Sequence, residues 1–330
     1  MSQPSAFQMP KPVLAIEGLT VSFDGFKAVD DLNLYIDRNE VRVVIGPNGA
    51  GKTTVLDLIC GKTKATAGSI QFENRELTQM REFDIVRAGV GRKFQNPSIY
   101  ENLTVFENLE MSYPKGRTVF GALFFKRTDE VIARVEQIAA EIMLTDNLYL
   151  QADLLSHGQK QWLEIGMLLM QDPELLMLDE PVNGLDPAGM VEMRELMKEL
   201  NREKGITIFI SSHLLHEVEK MCSHIAIIHL GALRFEGTMQ QLGEQAASEK
   251  SLTITVDEAV QWLEKVRENH PLAGLVQPDK IQLTVSSRDE AAAINRQLVQ
   301  AGAPVCELRL HDGLEEWFME LTGKHSNITQ

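Results

Sequence analysis

What the chain lacks narrows its class. It has three cysteines, Cys60, Cys222 and Cys306, odd in number and far apart, with no CxxC pair. Neither a zinc site nor a disulfide framework follows from them, and a reducing, cytoplasmic setting is the expectation. No run of 18 apolar residues occurs, so the chain is not expected to span a membrane. The opening stretch, MSQPSAFQMPKPVLAIEG, has no basic region leading into an apolar one, which argues against a secretory signal. Positive charge is in deficit: 32 Lys and Arg stand against 47 Asp and Glu, for a net charge of −15. Phosphate repulsion then opposes a sequence-independent duplex-binding surface, so no nucleic-acid partner is expected beyond what a local basic patch would hold. Internal repeats, low-complexity tracts and sustained heptads are absent, as is any N-K-x-D guanine-reading motif.

What is present reads as about two domains in 330 residues. Residues 1–12 form a polar tail containing proline. Over 13–242, short β-branched runs alternate with helical stretches, the pattern of an α/β fold. Residues 41–45, 175–179 and 206–211 are predicted buried strands; 52–60, 129–142, 159–170 and 190–203 are predicted helices. Between 95 and 156 the β signal thins, so a helical subdomain is inserted there. Residues 243–251 are small and polar and read as a linker. The segment 252–330 then reads βαββαβ, an accessory α+β domain of the split-βαβ, ferredoxin-like kind.

GPNGAGKT, residues 46–53, matches G-x-x-x-x-G-K-[ST] between a predicted strand and a predicted helix. Backbone N–H groups of Gly46, Pro47's neighbours Asn48, Gly49 and Ala50, and Gly51 would wrap phosphates at the helix N-terminus, where Thr54 also lies. Lys52 would reach the β- and γ-phosphates and Thr53 would offer a hydroxyl to Mg²⁺. A plain glycine-rich turn is the alternative, and the strand–loop–helix context disfavours it. MLDEP ends another predicted strand. Asp179 is a candidate Mg²⁺ ligand and Glu180 a candidate general base for an attacking water; without the phosphate cradle they would be two acids in a turn.

LLSHGQKQWLEIGMLLM, residues 154–170, sets Ser156 and His157 side by side. Adjacent helical positions do not face each other, so a nucleophile–base pair is the poorer reading. S-x-x-Q is a capping box, with Gln159 reaching back to the Ser156 N–H. The same capped end, with Gly158 permitting close approach, is also an anion site.

LSHGQ resembles the LSGGQ signature of ABC-type ATPases, with His157 in the first glycine position. With GPNGAGKT and MLDEP in the family's order, the chain resembles an ABC ATPase subunit over about residues 13–242. The resemblance implies a P-loop ATPase core using ATP and Mg²⁺, peripheral on the inner face of the cell membrane. It also implies partnership with integral membrane permease subunits and with a second ABC ATPase subunit, in a homo- or heterodimer. It matches Phe23 to the aromatic that stacks on adenine, Gln95 to the glutamine sensing Mg²⁺ and γ-phosphate, Asp186 to the loop crossing to the partner, and His213 to the switch histidine. Phe23 would otherwise be a core residue, and Asp186 also suits an N-cap before Pro187. His216, His224 and His229 match no such position. In this family one nucleotide lies between the cradle of one subunit and the signature of another, so Ser156, Gly158 and Gln159 would serve a neighbour's phosphate.

The stretch 82–177 resembles urea and branched-chain amino-acid importer ATPases, whereas the chain from about 181, through GLEEWFMELTG, resembles multidrug and peptide-antibiotic exporter ATPases. The join falls near MLDEP, which both groups share. A natural recombinant, a fusion of two parents and a single lineage all remain open. The family docks its membrane subunit on the helical subdomain, which favours an importer-type partner; VFGALFFK, residues 119–126, would be a docking patch or subdomain packing. A non-transport ABC protein and a nucleotide-binding hybrid that does not cycle are the other readings.

Overall fold

The computed structural model describes residues 11–95, 98–114, 127–213, 221–248 and 250–311. The expected docking patch at 119–126, His216 and the terminal GLEEWFMELTG lie outside the described residues. Two compact units divide at Glu236 and Gly237.

The first unit holds two sheets. In the parallel one, β3 (Val41–Ile45), β7 (Leu175–Asp179) and β8 (Thr207–Ser212) are buried along their whole length. Strands covered on both faces read as continuous apolar runs, which is why the sequence reveals these three. With β6 (Val90–Lys93), β9 (His224–His229) and β10 (Ala232–Thr238) they take the order β10-β9-β3-β8-β7-β6. The β3–β8, β3–β9, β7–β8 and β6–β7 pairs are parallel.

The second sheet is antiparallel: β1 (Leu14–Phe23), β2 (Phe26–Ile36), β4 (Ala67–Phe72) and β5 (Arg75–Glu76), in the order β2-β1-β4-β5. Its inward side chains, among them Leu14, Ile16, Leu32, Leu34, Ile70 and Phe72, join Val44, Val55, Leu56 and Phe209 in one core. Register shifts between Ile16, Leu19 and Val21 interrupt the two-residue alternation of β1.

Helix α1 (Lys52–Ile59) follows β3, and α2 (Glu82–Arg87) precedes β6. The predicted helical insertion holds α3 (Val105–Met111), under a Thr104–Glu107 capping box, and α4 (Asp129–Glu141), capped by Thr128. Helix α5 (His157–Leu169) starts two residues before the predicted start because Ser156 caps it. A Cβ on Gly166 of α5 would lie 2.5 Å from Ile142 Cδ1 and 3.0 Å from Leu109 Cδ2, so the glycine lets this helix pack close to its neighbours. Helix α6 (Pro187–Lys204) starts three residues before the predicted start, since Asp186 is its N-cap and Pro187 its first residue, and it ends at Gly205 with φ 66°.

The second unit contains α7 (Met239–Ser248), β11 (Ser251–Val256), α8 (Ala259–Arg267), β12 (Gly274–Gln277), β13 (Lys280–Thr284), α9 (Arg288–Gln300) and β14 (Val305–His311). The sheet order is β12-β13-β11-β14, with antiparallel pairs β11–β13, β11–β14 and β12–β13. That is the predicted βαββαβ succession, with β13 inserted between β11 and β12 as a split βαβ unit requires. Leu252, Ile254, Leu263, Ile281, Ile294 and Leu298 form its core. The stretch read as a linker at 243–251 differs: α7 runs through it to Ser248. Its small residues are compatible with a helix, and composition alone had suggested loop. Among the described residues no helix is long and apolar enough to cross a membrane.

Candidate functional site

The phosphate loop leaves β3 and enters α1. Gly49 and Gly51 have φ of 80° and 105°, where side chains are strained. A Cβ on Gly46 would overlap the carbonyl of Ile228, and one on Gly51 would lie 2.5 Å from the carbonyl of Ala28. Glycine is therefore required here both by backbone conformation and by packing. Gly51 is the N-cap of α1 and provides no side-chain cap, so the first N–H groups of the helix suit an anion.

Lys52 is 7% exposed. Its ammonium donates to the carbonyls of Gly46 at 2.8 Å and Pro47 at 3.3 Å, and lies 3.9 Å from Glu180 Oε1. It is thus folded over the loop that it would share with a phosphate. The Thr53 hydroxyl donates to Asp179 Oδ1 at 3.3 Å. Asp179, almost completely buried at the end of β7, also accepts from the Ser211 hydroxyl, and its Oδ2 lies 3.7 Å from Arg92. Hydroxyl and carboxylate oxygens are the hard ligands that Mg²⁺ prefers, in a site completed by phosphate oxygens and water. Thr53 and Asp179 therefore fit that ion.

Glu180 follows at φ 49°, with its N–H donated to Ser211 O at 3.1 Å. His213, just past β8, places Nδ1 2.7 Å from Glu180 Oε2. Parallel pairing of β7 with β3 through β8 brings these side chains together, because all three strands end at the same edge of the sheet.

The remaining expected residues belong to other segments of the chain. Gln95 is exposed just after β6, which pairs with β7. Phe23 is 49% exposed, opposite Phe26 at the β1–β2 hairpin; it is not the core phenylalanine that the alternative required. Ser156 and Gln159 form the capping box, with Gln159 N donating to Ser156 Oγ at 3.2 Å and Ser156 N to Gln159 Oε1 at 2.9 Å. A Cβ on Gly158 would lie 3.2 Å from Leu185. Asp186 Oδ1 accepts from Gly189 N at 2.8 Å, so its capping role is realised.

Several residues at the site escape sequence reasoning. Ser211 supports both Asp179 and Glu180. Lys93, fully buried, donates to Phe94 O at 3.0 Å and lies 3.8 Å from Glu164 on α5. Burial lowers the Lys93 pKa, while the neighbouring Glu164 works against that shift. Burial raises the Glu164 pKa, opposed by Lys93 and by the backbone N–H groups of Ser98 and Phe94. The pair flanks Gln95 and links it to α5. The only sequence signal is a pair of charges, RK, inside a short strand and one acid inside an apolar helical face.

A model of the ABC transporter family matches residues 29–183. The chain is 31% identical to the uncharacterized ABC transporter ATP-binding protein YhcH of Bacillus subtilis (strain 168), over 97% of this chain and 99% of that protein. It is 33% identical to the bacitracin transport ATP-binding protein BcrA of Bacillus licheniformis, over 94% of this chain and 97% of that one. It is 34% identical to the high-affinity branched-chain amino acid transport ATP-binding protein BraF of Pseudomonas aeruginosa, over 71% of this chain and 94% of that one. Among solved structures, the ADP conformation of the ATP-binding cassette MJ1267 superposes with a TM-score of 0.63 at 31% identity, over 70% of this chain and 92% of that chain. The chain belongs to the ABC transporter family as an ATP-binding subunit, an ATPase that uses ATP with Mg²⁺ to energise a transporter.

Proposed function

We propose that the residues gathered at the strand ends hydrolyse ATP in a site shared by two subunits. The observation that carries this reading is the convergence of Lys52, Thr53, Asp179, Glu180 and His213, with Lys52 Nζ 3.9 Å and His213 Nδ1 2.7 Å from the Glu180 carboxylate. Phe23 stacks on the adenine. The backbone of residues 46–54 and the Lys52 ammonium hold the phosphates. Thr53, Asp179 and Gln95 would hold Mg²⁺, which would supply positive charge against the phosphates. The Glu180 carboxylate takes a proton from water as the water oxygen bonds to the γ-phosphorus. The bond to the bridging oxygen then breaks and ADP leaves. His213 orients that carboxylate and contacts the γ-phosphate. Ser156, Gly158 and Gln159 of a second subunit, with Asp186 at the crossing loop, close the site from the other side.

Closure and opening of the two subunits drives integral membrane permease subunits, which hold the chain on the inner face of the membrane. The helical segment around α3 and α4 is the docking face. The importer-type partner is the first reading, for urea or amino acids; the match to BraF, a branched-chain amino acid transport ATP-binding protein, covers 71% of the chain and supports the amino-acid side of it. A second reading, an exporter-type partner, is favoured by the match to BcrA, which extends over 94% of the chain.

Glu180→Gln tests the site. The expected outcome is ATP-bound dimers whose phosphate release falls on the order of 100-fold or more, the size expected for loss of a general base. Turnover near that of the parent would remove Glu180 from the role.

A further inference from the structure

His157 occupies the first position of α5, where the family's signature has glycine. Its Nε2 lies 3.0 Å from Gln161 Nε2. Gln161 is 1% exposed, and the same amide nitrogen donates to Asn183 O at 3.1 Å. Asn183 in turn donates its N–H to Glu180 O at 3.1 Å. A Cβ on Gly184 would lie 3.3 Å from His157 Nε2, so the ring packs directly on the loop that follows Glu180. Gln161 Oε1 is buried, with no hydrogen-bond partner among the described residues.

These contacts restrict the protonation state of the ring. A carbonyl only accepts, so the nitrogen of the Gln161 amide must face Asn183 O. The second proton of that NH₂ points to His157 Nε2, which must offer a lone pair. The ring is then neutral, with its proton on Nδ1. Turning the amide over would set Oε1 against Asn183 O, acceptor against acceptor. That explains why Oε1 is left without a partner: both amide protons are needed on the other side.

We propose that His157 is a positioning residue which, as the neutral imidazole, holds the turn starting at Glu180 through Gln161 and Asn183, and that acid releases this tie. Adding a proton at Nε2 sets N–H against N–H and forces the Gln161 amide to turn or withdraw. Either way the bond to Asn183 O is weakened. Gly184, packed on the ring, and Asn183, bonded to Gln161, carry no charge. The acids on that loop are engaged elsewhere, Glu180 with His213 and Asp186 with Gly189 N. On its own helix, Lys160 pairs with Glu101 and Gln159 closes the capping box. The two-subunit site proposed above would bring the phosphates of the nucleotide to this end of α5, together with the ammonium and the Mg²⁺ that accompany them.

The inference rests on the proposed hydrolytic site, and the test separates the two. His157→Gln places a non-titrating amide where Nε2 stands and offers its oxygen to Gln161. Phosphate release by the full chain is measured from about pH 5.5 to 8.5, the range over which imidazole rings as a class change charge. The parent rate is divided by the His157→Gln rate at each pH, so that any pH dependence the two proteins share cancels. The ratio should be level in the alkaline range and fall roughly three- to tenfold on acidification, the factor that loss of one such hydrogen bond represents. His157→Ala, which removes the acceptor, should be slower than His157→Gln at neutral and alkaline pH. A ratio that stays level to acid pH overturns the inference, whether or not His157→Ala folds. If Lys52→Ala hydrolyses ATP as fast as the parent, the site reading itself fails; if Lys52→Ala is inactive and the ratio is level, only the His157 proposal falls.

Discussion

The two compact units both combine helices with sheets, yet they differ in what they tolerate inside. The unit ending at Glu236 buries Arg42, Lys52, Arg92, Lys93, Glu164, Asp179 and Glu180, whereas among the described residues of the other unit Ser251 is the buried polar side chain. The glycines differ in the same way. Gly46, Gly51 and Gly231 have backbone atoms where a Cβ would go, while Gly243, Gly274 and Gly302 face open space. Burying charge and threading backbone against backbone are costly, and a fold that needs only to be stable avoids both, as the second unit does. The first unit accepts several of these costs at the ends of β3 and β7, where Gly46, Gly51, Lys52, Asp179 and Glu180 lie.

That contrast can be tested by substitutions in each unit. The largest effect is expected from Glu164→Gln, which leaves the Lys93 ammonium buried beside a neutral amide. Loss of one partner from a buried pair costs about 3–5 kcal/mol, read as a lower urea midpoint. Replacing both, with Lys93→Met added, should recover much of the loss. Gly46→Ala comes next: the new methyl must displace the Ile228 carbonyl, at about 1–3 kcal/mol, with weakened ATP binding by titration calorimetry. Gly243→Ala in α7 should act in the opposite sense. Nothing crowds that position, and alanine in a helix is favoured by about 0.5–1 kcal/mol over glycine. A loss of stability there would erase the distinction between the units.

The smallest effect concerns acid. Hydrogen bonds from the side chain and backbone of Ser286 hold the Glu290 carboxyl below its usual range. A carboxylate depressed on folding contributes stability that is complete above its unfolded value of about 4.3 and is lost as pH falls through the lower folded value. Glu290→Gln should therefore slightly flatten the acid limb of the second unit's melting profile, with little change for the first unit.

Legibility in the sequence follows the range over which each signal acts. The phosphate loop is local, eight residues whose glycines are forced by backbone geometry, and it stands where the motif placed it. Asp179 and Glu180 were readable because they end an uninterrupted apolar strand. The Ser156 and Asp186 caps were readable because capping involves residues three apart. The βαββαβ order of the second unit followed from alternating periodicity. The antiparallel sheet of β1, β2, β4 and β5 was not individually resolved, since bulges break the alternation in β1. The pairing of Lys93 with Glu164 is not legible because it spans the whole helical insertion, and nothing in either neighbourhood announces the other. Gln161 was hidden for a related reason: it reads as one more polar residue on α5 until the loop carrying Asn183 is laid against it.

One carbonyl, that of Ala28 on β2, lies 2.5 Å from where Gly51 would carry a Cβ and 2.8 Å from the corresponding point on Gly231. Three segments distant along the chain therefore meet around a single oxygen, and none of them has room to gain a side chain while the others stay put. The curvature of the nucleotide-gripping loop is thereby inherited in part from a neighbouring strand that carries no chemistry. Drift in that strand would reshape residues 46–53 without altering any of them.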